Sequence, residues 1–187
     1  KYKEIKEDIK KYRKLRNVNN RASAVWLSLK RYYEQSGRNY GTYESMKLIE
    51  TTYAINEKHQ IYKKFQYHID EKADLLKSLV WISEGFDSDK VKNILILSSH
   101  LNTLMNEGLD RVDPNNCTIS MEMGISLLVP YLYEDEIHTL CVKHFNLSKD
   151  IVWAFNRLLI FDEDPVFIIV DLMKKVDKQQ NKTQKQN

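Results

Sequence analysis

The chain of 187 residues contains little glycine, proline or cysteine: 5 Gly, 3 Pro and 2 Cys. Glycine and proline punctuate β-rich and loop-rich folds, so their scarcity favours long helices joined by short connections. Two cysteines, Cys117 and Cys141, do not make a disulfide framework. They indicate a reducing, intracellular environment, which we take to be the cytoplasm.

The sequence also lacks a long apolar run and the short motifs of common enzymes. The longest apolar stretch, residues 125–133, contains Pro130 and is too short to span a membrane, so we expect no membrane segment within this chain. It has no G-x-S-x-G motif and no phosphate-binding glycine loop. We therefore predict no enzymatic activity, no cofactor and no small-molecule substrate, and we assign no catalytic, cofactor-binding or metal-binding residue.

Charge is present in both signs but is unevenly distributed. Residues 1–17 hold eight Lys or Arg against three acids, and the net charge of the whole chain is only +3. The segment 177–187 is basic as well, so the body between the two ends is slightly acidic. A nucleic-acid-binding face normally shows as positive charge on the folded body, so a nucleic-acid partner is not expected.

Apolar residues recur mainly at helical spacing, which predicts an all-α fold. We expect eight or nine helices in a single domain, 1–176, followed by a disordered polar tail, 177–187. Gly37, Gly85 and Gly108 are the predicted helix ends. The predicted helices lie at 1–17, about 20–37, 42–53, 57–84, 88–107, 117–133, 134–145, 149–161 and 165–176.

The segment 117–133 has almost no polar face, and a helix that is apolar all round is buried all round. We therefore predict that it forms the central helix of a bundle. In the last predicted helix, Asp164 acts as the N-cap and Pro165 takes the first helical position. Five of its apolar residues are expected to face inward: Phe167, Ile168, Val170, Leu172 and Val176.

Two kinds of side-chain cluster could carry chemistry. His138, Cys141 and His144 are spaced i, i+3, i+6, which spreads them across a helix surface and disfavours a shared metal, so a buried cysteine with two surface histidines is the preferred interpretation. The acidic clusters 134–136 and 162–164 could serve acid–base chemistry or a divalent ion. Both lie at predicted helix starts, where negative charge is stabilising, and we interpret them as caps.

Residues 141–158 have the apolar spacing of a helix-turn-helix, with the turn at 146–148. The second helix would present five side chains to a DNA groove: Lys149, Asp150, Trp153, Asn156 and Arg157. Basic residues are few in this stretch, so a DNA-binding regulator is kept only as an alternative function.

Tyrosines are abundant in the first half of the chain. They are expected to fill the core with their hydroxyls at its edge, or to line an exposed groove, since tyrosine is a favoured binding anchor. The residues concerned are Tyr32, Tyr33, Tyr40, Tyr43, Tyr53, Tyr62 and Tyr67.

Several segments resemble proteins of the poxvirus Bcl family. LKRYYEQSGRNYGTYESM at 29–46 is similar to the step from an apolar helix to the next helix in that family, and YRKLRN at 12–17 to the element before it. CTISMEMGISLL at 117–128 resembles the family's central helix, and NRLLIFDEDPVFIIVDLMKKV at 156–176 its final helix pair. The resemblance implies a helical globule without catalytic activity that binds host proteins, either amphipathic death-signal helices or innate signalling adaptors.

The sequence thus predicts a non-enzymatic protein–protein interaction domain, which the resemblance narrows to a viral inhibitor of host apoptosis or innate immune signalling. The expected partner is an amphipathic helix or a signalling adaptor. The alternatives are the helix-turn-helix DNA binder and a helical scaffold fragment of a larger protein. No residue of the partner-binding face is predicted.

Overall fold

A computed structural model describes residues 6, 7, 10, 17–105 and 107–184, and it combines a six-stranded antiparallel sheet with helices. The prediction of an all-α helical bundle is therefore wrong. The helices are α1 (Val18–Ser36), α2 (Val91–Leu104), α3 (Leu128–Leu132), α4 (Asp135–Phe161) and α5 (Pro165–Gln184). The strands are β1 (Tyr40–Tyr43), β2 (Leu48–Asn56), β3 (Ile61–Asp70), β4 (Leu75–Ser83), β5 (Leu109–Asp113) and β6 (Thr118–Ser126).

The strand order in the sheet is β1-β2-β3-β4-β6-β5. At one edge β1 pairs with β2 in antiparallel register, with Thr42 opposite Ile49. At the other edge β5 pairs with β6, with Val112 opposite Ile119. Strands that follow one another in the chain are neighbours in the sheet, with the exception of β4 and β5. These two are separated by α2 in the chain and by β6 in the sheet.

The segments 42–53 and 57–84, predicted as helices, are strands β1 to β4. Their burial alternates along the chain, at 49, 51, 53 and 55 in β2, at 65, 67 and 69 in β3, and at 76, 78, 80 and 82 in β4. Alternation with a period of two buries one face of a strand. These segments are also rich in β-branched and aromatic residues, which favour strands.

The segment 117–133 is not a central helix. It forms strand β6 and then the short helix α3, with Ile119, Met121 and Met123 buried. Residues 118–126 alternate apolar and polar side chains, which is the period of a strand, and the helical prediction overlooked this alternation. Leu127, at the junction, is fully buried as expected of a core residue.

Other parts of the helical prediction are confirmed. α1 begins after the N-cap Asn17 and ends at Gly37, which has a positive φ of 66°. A 3₁₀ turn at Ser88–Lys90 leads into α2. The predicted break between 145 and 149 is wrong, because α4 is one helix of 27 residues.

Two further predictions concern the ends of the chain. Most of the predicted first helix, 1–17, lies outside the described residues. α5 is helical as far as Gln184 and so extends into the predicted tail, of which residues 185–187 lie outside the described part.

The chain forms two compact units. Unit 1 comprises residues 1–53, 64–79 and 123–144, and its core includes Trp26, Tyr33 and Tyr67. Unit 2 comprises 54–63, 80–122 and 145–187, and its core includes Leu97 and Phe155. In unit 2 the helix α2 contacts both α5 and β5.

Candidate functional site

Helix α5, in unit 2, has two apolar faces. One face is buried and holds Ile168, Ile169 and Leu172. The other face is exposed and holds Val166, Val170 and Met173, spaced i, i+4, i+7, with Phe167 one turn before Val170. A helix that is apolar on both sides is normally covered on both sides, so the outer face of α5 is suited to covering by a partner.

The end of α4 adds two exposed apolar residues close in sequence to the start of α5. Ile160 and Phe161 close α4 and are exposed, and the connection 162–164 leads directly into α5. The two phenylalanines are the most exposed large apolar residues here, with 69% of Phe161 and 68% of Phe167 accessible. We call the six exposed residues the corner patch: Ile160, Phe161, Val166, Phe167, Val170 and Met173.

Backbone geometry fixes the turn between the two helices. Asp162 adopts a left-handed conformation with a φ of 54°, which ends α4. The amide of Glu163 then donates to the carbonyl oxygen of Arg157 at 3.2 Å. Asp164 accepts from the amide of Val166 at 2.8 Å and thereby caps α5, as the sequence predicted.

Arg157 holds the corner together on its polar side. Its guanidinium donates to the Glu163 carboxylate, with Nε to Oε2 at 2.9 Å, and to the Asp171 carboxylate at 3.0 Å. These bonds raise the pKa of Arg157, the one to Glu163 most, and the bond from Arg157 lowers the pKa of Asp171. One charged side chain thus links α4, the connection and α5.

Three further contacts brace the same corner. Arg157 lies over the ring of Trp153 at 4.8 Å, and Lys175 lies over that ring at 5.3 Å. Lys90 donates to the carbonyl oxygen of Leu159 at 3.0 Å, at the end of α4. The patch is therefore presented by a braced helix pair, so little conformational entropy would be lost when a partner covers it.

The exposed area of the corner patch bears on whether it can serve as an interaction site. A phenylalanine side chain buries about 150–250 Å² when covered, so the six side chains together expose on the order of 600 Å². Monomeric proteins leave apolar patches of roughly 300–600 Å², and the larger ones mark interaction sites. The arrangement offers apolar burial and carries no nucleophile or metal ligand among its six residues.

The predicted DNA-reading side chains lie near this corner but do not form a helix-turn-helix. The chain is helical through 146–148, so the required turn is absent from the described α4. Lys149 lies over the ring of Phe145 at 4.3 Å, and Asp150 forms an ion pair with Lys175. Trp153 and Arg157 serve the bracing described above.

His138, Cys141 and His144 all lie on α4 but in different surroundings. His138 is exposed, and its Nδ1 is 3.3 Å from the hydroxyl of Tyr32. His144, expected at the surface, is fully buried, with its ring centroid 5.2 Å from that of Phe65. Within the described residues, no group of three or more His, Cys, Asp or Glu side chains is placed to hold a metal ion.

The acidic clusters lie at helix starts, as predicted. Asp135 and Glu136 are in the first turn of α4, and Glu134 accepts from the hydroxyl of Ser28 at 3.1 Å. In the other cluster, Asp162 faces Lys90 at 3.4 Å and Glu163 binds Arg157. These interactions account for both clusters as structural elements.

Three of the tyrosines meet inside unit 1. Tyr33, Tyr53 and Tyr67 are buried, with the hydroxyls of Tyr33 and Tyr53 at 3.1 Å and the Cys141 sulfur 3.8 Å from the Tyr33 hydroxyl. Burial raises the pKa of Cys141 to about 11 and raises the pKa of Tyr33. At neutral pH these groups are uncharged, and the thiol is a poor nucleophile.

The tyrosine prediction is thus correct about the core, but the hydroxyls of Tyr33 and Tyr53 meet within it and do not lie at its edge. Tyr43 and Tyr62 are exposed. Tyr32 is partly buried, which raises its pKa to about 12.

The sequence alone does not predict the corner patch. Phe167 and Val170 were expected to face inward, but both are exposed, while Ile168 and Leu172 are buried as predicted. The side chain of Val176 lies outside the described part. The signal was present in the unbroken apolar run from Pro165 to Val170, which is too wide for one buried helix face.

Comparison with known proteins does not assign the chain to a family. No protein-family model matches the chain, and no curated protein and no solved structure matches it either. None of the helices in the described part is long and apolar enough to cross a membrane.

Proposed function

We propose that this chain is a non-enzymatic protein-interaction module that binds its partner through the corner patch. The observation that carries the proposal is the exposed second apolar face of α5, with Phe167 68% accessible. Aromatic side chains at the centre of a patch are the usual anchors of protein interfaces.

The expected partner presents an amphipathic helix. A helical ridge with side chains at i, i+4 and i+7 packs against a complementary apolar stripe on another helix. The bracing of the corner by Arg157 favours binding, because the surface is already ordered before the partner arrives.

The proposal includes the absence of catalytic activity. This part is supported by the protonation of the Cys141 thiol in the core. Cys141 is buried and its pKa is raised to about 11, so it stays protonated at neutral pH. The free thiols of Cys117 and Cys141 also support a reducing compartment, for which we propose the cytoplasm.

The narrower functions suggested by the sequence have unequal support. Interference with host apoptosis or innate signalling stays a prediction of the poxvirus Bcl resemblance, although the sheet differs from the helical globule that the resemblance implies. The DNA-binding alternative is weakened because α4 is continuous at its expected turn. Membership of a larger scaffold stays a prediction.

The test compares proteins captured from cell lysate by three forms of the full chain. The forms are the wild type, Phe167→Asp and the control Met46→Asp, which replaces an apolar residue in unit 1 that is 56% exposed. We expect at least one protein, a second copy of the chain included, that wild type and control capture and Phe167→Asp loses.

Identical sets of captured proteins for all three forms would overturn the proposal. Circular dichroism shows whether Phe167→Asp is folded. If it is not, Phe167→Ser replaces it, because a neutral side chain at an exposed helix position changes stability little.

A further inference from the structure

We infer that the partner covering the corner patch is a second copy of this chain, packed with its α5 antiparallel to the first across a two-fold axis near Val170. This inference rests on the proposed function of the patch and names its occupant. Three features of α5 support it: the position of the apolar residues, the distribution of charge and the size of the surface.

The apolar residues are symmetric about Val170. Phe167 precedes Val170 by three residues and Met173 follows it by three, and all three are exposed. In a two-fold interface a residue on the axis meets its own copy, and residues on either side exchange partners. Val170 would therefore meet Val170 of the second copy, and Phe167 would meet Met173.

The charges favour the antiparallel orientation. The stripe begins beside the acidic connection 162–164, in which Asp162 and Asp164 are exposed. It ends beside Lys174, whose side chain is exposed. With about 1.5 Å of rise per residue, Asp164 lies about 9 Å before Val170 and Lys174 about 6 Å after it, so an antiparallel copy brings opposite charges within side-chain reach.

A parallel copy is disfavoured by the same charges. It would place the acidic connection beside its own counterpart and Lys174 beside Lys174. Opposed like charges suppress a wrong orientation even when the apolar contacts are adequate. The polarity of charge along α5 therefore selects one of the two ways in which the stripes can meet.

The area is suitable for a dimer of ordinary size. A standard interface buries about 800 Å² on each partner, with an apolar centre and a polar rim. The corner patch supplies an apolar centre on the order of 600 Å² by the estimate above, and the charged residues at its two ends complete the rim. A short peptide would leave much of this surface uncovered.

Sedimentation velocity over a concentration series of the full chain tests the inference. We expect a monomer–dimer equilibrium that is at least tenfold weaker in Phe167→Asp and unchanged in Met46→Asp. A dimer that persists unaltered in Phe167→Asp would contradict the inference, since its interface would then lie elsewhere. Phe167→Ser takes the place of the charged variant if circular dichroism shows that variant unfolded.

Cysteine cross-linking tests the orientation, in chains in which Cys117 and Cys141 are replaced by Ser and Ala. Under oxidation, Val170→Cys should form a covalent dimer. A mixture of Phe167→Cys and Met173→Cys chains should cross-link better than either variant alone. Efficient cross-linking of Phe167→Cys to itself would show a parallel pair and overturn the proposed geometry.

Two outcomes separate this inference from the proposed function. A chain that stays monomeric at all concentrations, yet captures a different protein in a Phe167-dependent manner, contradicts the second copy and leaves the proposed function intact. A monomer without Phe167-dependent capture contradicts both.

Discussion

Asp110 lies on β5 with only 2% of its surface exposed. Neither of its carboxylate oxygens has a hydrogen-bond partner among the described residues. Burial raises the pKa of this carboxyl to about 6, and the nearby Ser98 hydroxyl partly opposes the shift. Its backbone, by contrast, is held by Asn102, which accepts from the Asp110 amide and donates to its carbonyl oxygen, both at 2.9 Å.

The raised pKa predicts a pH dependence of stability. Because the folded state favours the protonated carboxyl, the contribution of Asp110 to the free energy of unfolding is fully present below pH 4 and is lost as the pH rises through about 6. Asp110→Asn removes this loss and should stabilise the fold by about 3 kcal/mol at pH 8, with little effect at pH 4. Urea denaturation at the two pH values measures it.

The matched control is Asp89→Asn, which changes an exposed carboxylate in the same unit. It should leave the difference between pH 4 and pH 8 unaltered. Equal effects of the two substitutions, or a destabilisation by Asp110→Asn at pH 8, would show that the Asp110 carboxyl is solvated or paired.

At the scale of the element, several helices can be predicted from the sequence and the strands cannot. α1, α2 and the start of α5 were predictable, because caps and stops such as Gly37 and Asp164 stand where the sequence suggests. The sheet was not, because its turns carry few glycines. Lys47, Gln60, Asp74 and Cys117 adopt positive φ values between 46° and 56° in those turns, where glycine is the usual signal.

Gln60, in the turn between β2 and β3, offers a test of this explanation. Its φ is 52°, a region that costs residues other than glycine free energy. Gln60→Gly should therefore raise the free energy of unfolding by about 0.5–1 kcal/mol, as measured by chemical denaturation.

The opposite change at Gly37 is its counterpart. Gly37 has a φ of 66°, and an added Cβ would meet no atom within 4 Å. Gly37→Ala should cost about 1 kcal/mol through backbone strain alone.

A Gln60→Gly variant less stable than the wild type would show that the turn between β2 and β3 has a different geometry.

The corner patch illustrates a second limit of sequence interpretation. Periodicity identifies which residues are apolar, but a helix with apolar residues on both sides does not reveal which side meets its own core. In α5 that choice follows from the packing of α2 against it, which the sequence does not show.

The junction of α4 and α5 depends on Arg157, whose side chain is only 19% exposed. Arg157→Gln removes the ion pairs to Glu163 and Asp171 and should lower the free energy of unfolding by about 1–2 kcal/mol. The control Arg31→Gln breaks a 3.9 Å ion pair of a 60% exposed side chain and should cost less than about 0.5 kcal/mol. Urea denaturation compares them, and equal losses would show that Arg157 does not brace the corner.

At the scale of the whole molecule, two compact units share the chain, and the surface proposed for binding lies entirely within unit 2. The buried thiol and tyrosine hydroxyls of unit 1 do not offer an alternative binding or catalytic site. Cys141 and the three core tyrosines are uncharged at neutral pH and enclosed in unit 1. The proposed function therefore requires that the outer face of α5 is covered in the cell.

This requirement is tested most directly by a photo-reactive phenylalanine analogue placed at position 167 of the full chain and irradiated in living cells. The proposed binding function predicts covalent adducts of discrete mass, which are absent when the analogue stands at the exposed position Glu57. Adducts that are missing at 167, or the same at both positions, would contradict it.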